Sequence, residues 1–179
     1  MKKIFIVLAI ALVTVMSHSF SFAQSTAPSG WLIFDNVDFS IQYPGDWDSG
    51  DASQTGLIFS AFSKVKSNKD KFRENVNIVT EDLFGKNFDL DKYASVSEAQ
   101  IEKMIEKGKL IESKRITLNG ISFQKMIYTG KSSDIKMKFV AYFCVEKSRA
   151  IVLTLTCEES EFSDYSETGE QIISSFKLK

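Results

Sequence analysis

The stretch that most constrains the fold is Ile116-Thr117-Leu118-Asn119-Gly120-Ile121-Ser122-Phe123. Asn-Gly between two runs of alternating apolar and polar residues is the preferred type I′ hairpin turn, because both central residues tolerate positive φ. A longer hairpin is predicted directly after it, with strands over 137–145 and 150–157 joined by a tight turn at 146–149. Its strands are apolar on both faces, which places it centrally in a sheet, under a helix.

Upstream, residues 31–34 and 37–43 read as strands. In the second, Val37, Phe39, Ile41 and Tyr43 alternate with Asp38, Ser40 and Gln42, the period of a half-buried strand. Pro44-Gly45-Asp46 ends it, since proline cannot donate to a ladder and glycine permits a turn. Residues 57–65 and 76–82 supply two more strands, separated by a charged, turn-rich loop over 66–74. Asp89 is the expected cap of a helix running to about 107. Leu90, Tyr93, Ser97, Ile101, Met104 and Ile105 form its inward face, and Gly108 is expected as the left-handed residue that ends it. Phe162, Tyr165, Gly169, Ile172, Ile173 and Phe176 mark a second amphipathic helix.

Strands outnumber helices, connections are short, and each helix has one apolar face. The packing that satisfies all three is α+β: an antiparallel sheet sandwiched between helices. The domain is expected over 31–179, behind a short polar lead over 24–30.

Residues 1–23 carry two lysines, an apolar run from Ile4 to Val15, and Ser21-Phe22-Ala23. This is the pattern of a secretory signal peptide cleaved before Gln24, and its apolar core is too short to span a bilayer comfortably. The expected location is periplasmic or secreted, with no membrane insertion once the leader is removed. Cleavage also removes His18, the one histidine of the 179 residues. An imidazole-dependent triad, histidine metal site or neutral-pH histidine switch is therefore excluded from the mature domain. Removing two lysines from the 22 basic residues leaves the 23 acids in slight excess, without the positive surface that nucleic-acid binding needs.

In the register of the long hairpin, Glu146 faces Arg149, Cys144 faces Ile151, and Cys157 faces Lys138. The thiols then share a face but stand roughly 20 Å apart, beyond the reach of a disulfide. Both are expected to be buried free thiols. Asp46, Asp48 and Asp51 have some likeness to a calcium loop, but no glutamate follows until Glu74, so the segment reads as a polar turn. Glu158, Glu159, Glu161 and Asp164 gather where the last helix begins and complement its positive end. No phosphate loop, Cys-x-x-Cys pair or dinucleotide fingerprint occurs, so no cofactor and no catalytic residue is assigned. Trp47, in a turn, and Trp31, at the first strand, are the candidate partner surface.

Phe39-Ser40-Ile41-Gln42-Tyr43-Pro44-Gly45-Asp46-Trp47 resembles the Phe-x-Ile-x-Tyr-Pro-x-x-Trp opening of the PsbP/Mog1-like superfamily. The order of later features agrees with it: Asn75-x-Asn77, a helix holding Leu90 and Tyr93, Lys109-Leu110-Ile111 before the Asn119-Gly120 hairpin, and a terminal Ile173-Ser174-Ser175-Phe176. The resemblance implies the α+β architecture. Its members include an extrinsic photosystem II subunit, a nuclear Ran-binding protein and exported bacterial proteins, so it implies non-enzymatic binding or assembly of protein partners. The leading expectation is an exported, non-catalytic domain that binds a protein partner in the cell envelope. The alternatives are a binder of a small hydrophobic ligand and a carboxylate-dependent hydrolase of glycan or cell-wall material.

Overall fold

The computed structural model describes residues 27–50, 56–68, 70 and 72–179. The leader expected over 1–23, residues 24–26 of the polar lead, and Asp51 lie outside the described residues. Along the chain run β1 (Trp31–Asp35), β2 (Phe39–Pro44), β3 (Asp48–Gly50), β4 (Leu57–Phe62), β5 (Asn75–Asp82), α1 (Leu90–Met104), β6 (Glu106–Leu118), β7 (Ile121–Ser132), β8 (Ile135–Glu146), β9 (Arg149–Glu158), α2 (Phe162–Ser174) and β10 (Lys177–Leu178). The strands form two antiparallel sheets. One has seven strands in the order β3-β4-β5-β9-β8-β7-β6, and the other has the order β1-β2-β10.

The two hairpins form as their turns dictate. Asn119 and Gly120 both take positive φ, at 49° and 83°, and so do Lys147 and Ser148, at 51° and 59°. The β8–β9 register pairs Glu146 with Arg149, Cys144 with Ile151, and Lys138 with Cys157, as expected from the sequence. Both cysteines are free and buried. Burial pushes the Cys144 thiol up to about 12 and the Cys157 thiol upward as well. Thiolate is the reactive form. A chromogenic disulfide reagent is therefore expected to leave both thiols untouched in the native protein and to titrate them after denaturation. Rapid labelling of either thiol under native conditions would contradict this burial.

Because β8 and β9 lie inside the large sheet, their alternating side chains feed two separate cores. Val140, Tyr142, Cys144, Leu153, Leu155 and Cys157 point to one face, where Phe39 and Ile41 of β2 and Ile172 and Ile173 of α2 cover them. Met137, Phe139, Ala141 and Phe143 point to the other, under Tyr93, Ala94 and Ile101 of α1. The fold is sheet-dominated α+β. One covering layer is a composite of α2 and the three-stranded sheet, so the expected picture of a sheet with helices alone on both faces needs that correction. Pairing of β1 with β2 makes them a ribbon, and β10 joins it after the terminal helix.

Three local departures have physical causes. Val37 lies in the β1–β2 turn and is 90% exposed, because Asn36 turns the chain by accepting from the backbone N–H groups of Asp38 and Phe39. Met104, expected on the inner face of α1, is 54% exposed at the helix end. Gly108 lies in β6, and the left-handed residue is Lys107 at φ 53°. Asp89 caps α1 as expected, its carboxylate accepting from Lys92 N–H at 2.8 Å.

The edges of the large sheet are unequal. β3 is three residues long, whereas β6 runs for 13, with register irregularities at Glu106/Lys109 and Leu110/Glu112. Lys107, Lys109, Lys114 and Arg115 lie along it, the charged and bulged character that discourages an added strand.

Candidate functional site: an acidic groove beside the second helix

After β4 the chain makes an excursion and returns to β5, and the junction is stitched by hydrogen bonds. Ser63 N–H donates to the Glu74 carbonyl at 2.8 Å. Arg73 donates from Nε to the Ser63 carbonyl at 2.6 Å and from a terminal nitrogen to the Asp48 carboxylate at 2.6 Å. Facing this excursion are the start of β8, the end of β9 and the entry to α2. Glu159 N–H donates to the Lys136 carbonyl at 2.9 Å, and Glu161 N–H to the Glu158 carbonyl at 3.1 Å. An open groove of about 740 Å³ lies between these walls.

Its lining is mostly acidic. Asp70 and Glu74 come from one wall, Asp134 from the β7–β8 turn, and Glu158, Glu159 and Glu161 from the other; among the described residues lining it, Lys66 and Lys136 are the cations. Lys66 spans the groove mouth. Its ammonium is 2.5 Å from Glu161 and 3.1 Å from Asp164, and it lies 4.8 Å from the centre of the Tyr165 ring. Those two acids hold the Lys66 ammonium above its usual range. With both partners largely solvated, such pairs fix geometry more than they add stability.

Glu74 is the unusual member of the set. It is 3% exposed, and burial pushes its carboxyl above the ordinary glutamate value of 4.5. The carboxylate accepts from the Ser63 hydroxyl at 3.2 Å. Ser63 is itself buried, at 1% exposed. Proton transfer, cation attraction and hydrogen bonding to a basic group are the chemistry this arrangement can perform. Among the described residues, no group of three or more His, Cys, Asp and Glu is placed to hold a metal ion.

The residues singled out from sequence end up elsewhere. Trp47 is 7% exposed, so it is core rather than an open docking ring. Its N–H closes a turn onto the Pro44 carbonyl, and its indole meets the Tyr165 ring edge-on at 6.2 Å. Trp31 is partly buried against the same core. Asp48 accepts from Lys64 at 2.7 Å and from Arg73 at 2.6 Å, and these cations hold its carboxyl below the usual range. Asp48 is thereby committed to structural ion pairs; Asp46 is exposed, and Asp51 lies outside the described residues. Of the acids expected at the last helix, Glu158, Glu159 and Glu161 line the groove. Glu74, Ser63 and Lys66 were missed. Glu74 is in phase with Val76 and Ile78 on one face of β5, and extending that alternation one step upstream would have turned it inward.

The sequence matches the family described as PsbP-like protein over residues 5–178. The chain belongs to the PsbP-like family. The fold of this PsbP-like chain is also that of cyanobacterial PsbP, CyanoP, from Synechocystis sp. PCC 6803, with a TM-score of 0.64, 11% identity, and 89% of this chain and 98% of that one covered. LpqN of Mycobacterium tuberculosis, described as involved in cell envelope biogenesis, aligns with a TM-score of 0.62 at 11% identity, covering 79% and 83%. PA94 of Pseudomonas aeruginosa, a protein of unknown function, aligns at 0.57 and 14% identity, covering 82% and 96%. No curated protein sequence matches. At these identities the solved structures share the fold with the PsbP-like chain.

Proposed function

We propose that this PsbP-like protein is an exported, non-catalytic docking domain of the cell envelope, and that it holds a protein partner by basic side chains seated in the acidic groove. The observation that carries this reading is the convergence of acids from three separated segments, 70–74, 134 and 158–161, on one concave surface. Like charges held close together oppose folding, and a cationic partner relieves that repulsion while being steered to the site. The leader pattern and the shared fold with an envelope-biogenesis protein support the location. No helix among the described residues is long and apolar enough to cross a membrane.

The reading is tested by placing a photo-reactive residue at position 159, in the groove, or at position 103, on the solvent side of α1. Crosslinking to a discrete envelope protein is expected from 159 and not from 103. It should fall at least tenfold when Asp134→Lys and Glu158→Lys are combined. Equal crosslinking from both positions, or indifference to the charge reversal, would refute it.

A further inference from the structure

The small sheet has one edge without the usual protection. Its order is β1-β2-β10, so among the described residues no strand pairs with the outer side of β1. The other edges are guarded: β3 has three residues, β10 has two, and β6 is charged and bulged. β1 differs on each count. It reads Trp31-Leu32-Ile33-Phe34-Asp35, pairs with β2 without a bulge, and contains no proline or lysine. A continuous apolar edge of this kind is a template for another strand.

The phase of the ladder shows which main-chain groups face outward. Gly45 N–H donates to the Gly30 carbonyl at 2.8 Å, and Asn36 N–H to the Phe39 carbonyl at 3.0 Å. Bonded pairs in an antiparallel ladder recur at every second residue, so Leu32 and Phe34 share that phase and turn their groups to β2. Those of Ile33 and Asp35, and the Trp31 carbonyl, then point to the open side. Trp31 N–H is closed in a turn onto the Pro28 carbonyl at 3.0 Å.

We propose that β1 is the contact strand of a two-fold symmetric dimer of this chain, in which it pairs antiparallel with its own copy about Ile33. In that register the two Ile33 residues exchange a pair of hydrogen bonds, and each Asp35 N–H meets the Trp31 carbonyl of the copy. Leu32 comes to stand opposite Phe34 of the copy. Leu32 is 37% exposed at the rim, while Phe34 beside it packs on Phe59 of β4 at 5.1 Å between ring centres. Pairing therefore closes the open side of the core under β1. Charge favours a second copy over a foreign strand. Asp35 is the one charge in β1, it faces Trp31 of the copy rather than another acid, and Lys179 already pairs with it. No further charge is present to select a different sequence. Once β1 is used, only the guarded edges remain, so assembly stops at two.

The experiment is sedimentation equilibrium of the purified protein. A five-residue strand pair is smaller than a standard stable interface, so a monomer–dimer equilibrium is expected with a dissociation constant on the order of 10–100 µM. Ile33 lies on the two-fold axis, which permits a charge-swap test. Ile33→Lys alone and Ile33→Glu alone set like charges opposite each other, and each should weaken the dimer about tenfold. Mixing the two variants should restore association to within about threefold of the parent, which a merely structural lesion would not do. A monomer up to about 1 mM, growth beyond two, or a mixture no tighter than the single variants would overturn the dimer. Should both variants fold poorly, the amide resonances of the unmodified protein decide. Shifts with concentration centred on 31–35 support the dimer. Shifts confined to other residues, or Ile33 and Asp35 amides already protected from exchange in the monomer, overturn it.

Discussion

Gly108→Ala is expected to lower stability by about 3 kcal/mol, seen as a urea midpoint roughly 1–2 M below that of the parent with an unchanged slope. The chain leaves α1 at Met104 and must enter β6 at once. It does so by folding back on the helix end, with Gly108 N–H donating to the Ile105 carbonyl at 2.9 Å and Ile105 N–H to the Ile101 carbonyl at 3.3 Å. A Cβ at position 108 would stand 2.0 Å from the Ile101 carbonyl oxygen and 2.9 Å from its carbon. Both are backbone atoms, so no rotamer change relieves the clash. The last turn of α1 has to lift, which would unseat Ile105 from its place against Gly130 of β7. A Gly108→Ala protein within 0.5 kcal/mol of the parent would mean that the helix and strand do not approach in this way.

The second large effect is expected at Phe176. Its replacement by alanine should cost about 3–5 kcal/mol, the range for emptying a fully buried aromatic site. Phe176 is 2% exposed, with its ring 5.5 Å from that of Phe39 on β2 and 6.4 Å from that of Phe123 on β7. It therefore joins the small sheet to the large one, just where α2 has ended. The backbone beside it is fixed as well. The Asn119 side chain donates to the Phe176 carbonyl at 2.6 Å, and Gln42 N–H donates to the Ser175 hydroxyl at 2.8 Å. Chemical denaturation of Phe176→Ala measures the loss, and Phe176→Leu should recover part of it. Phe84→Ala is the control. That ring is 84% exposed, and its removal should change stability by no more than about 0.5 kcal/mol. Equal losses at the two positions would contradict the burial that distinguishes them.

What the sequence disclosed was whatever rests on neighbouring residues. The Asn119-Gly120 turn, the Asp89 cap, the β8–β9 register and the inward stripe of α2 each follow from local pattern, and each is found. The antiparallel, sheet-rich class followed from counting such elements. The two-sheet arrangement did not, because pairing β1 with β2 leaves open whether the ribbon extends the large sheet or lies across it. β3, three polar residues, has no periodicity to betray it. The end of α1 was misplaced because glycine is the common left-handed stop, and here Gly108 serves a close approach while Lys107 takes the positive φ.

The groove was legible only in fragments. Its acids at 158–161 stood out, but as helix-end charges, since the opposing wall lies far away along the chain. Glu74 was hidden at the end of a charged run, and in the fold it is buried with its carboxylate on the Ser63 hydroxyl from before that run. Trp47 misled for the complementary reason. A tryptophan in a turn reads as exposed until the partner ring, Tyr165, arrives from much later in the sequence.

The unequal rims of the large sheet bear on how such a domain can be crowded at a surface. Along β6 the ladder is interrupted twice and set with charged side chains of both signs, so a neighbouring copy that slides alongside meets broken spacing where it would need continuous main-chain partners. Many molecules can then stand close together without zipping into fibres.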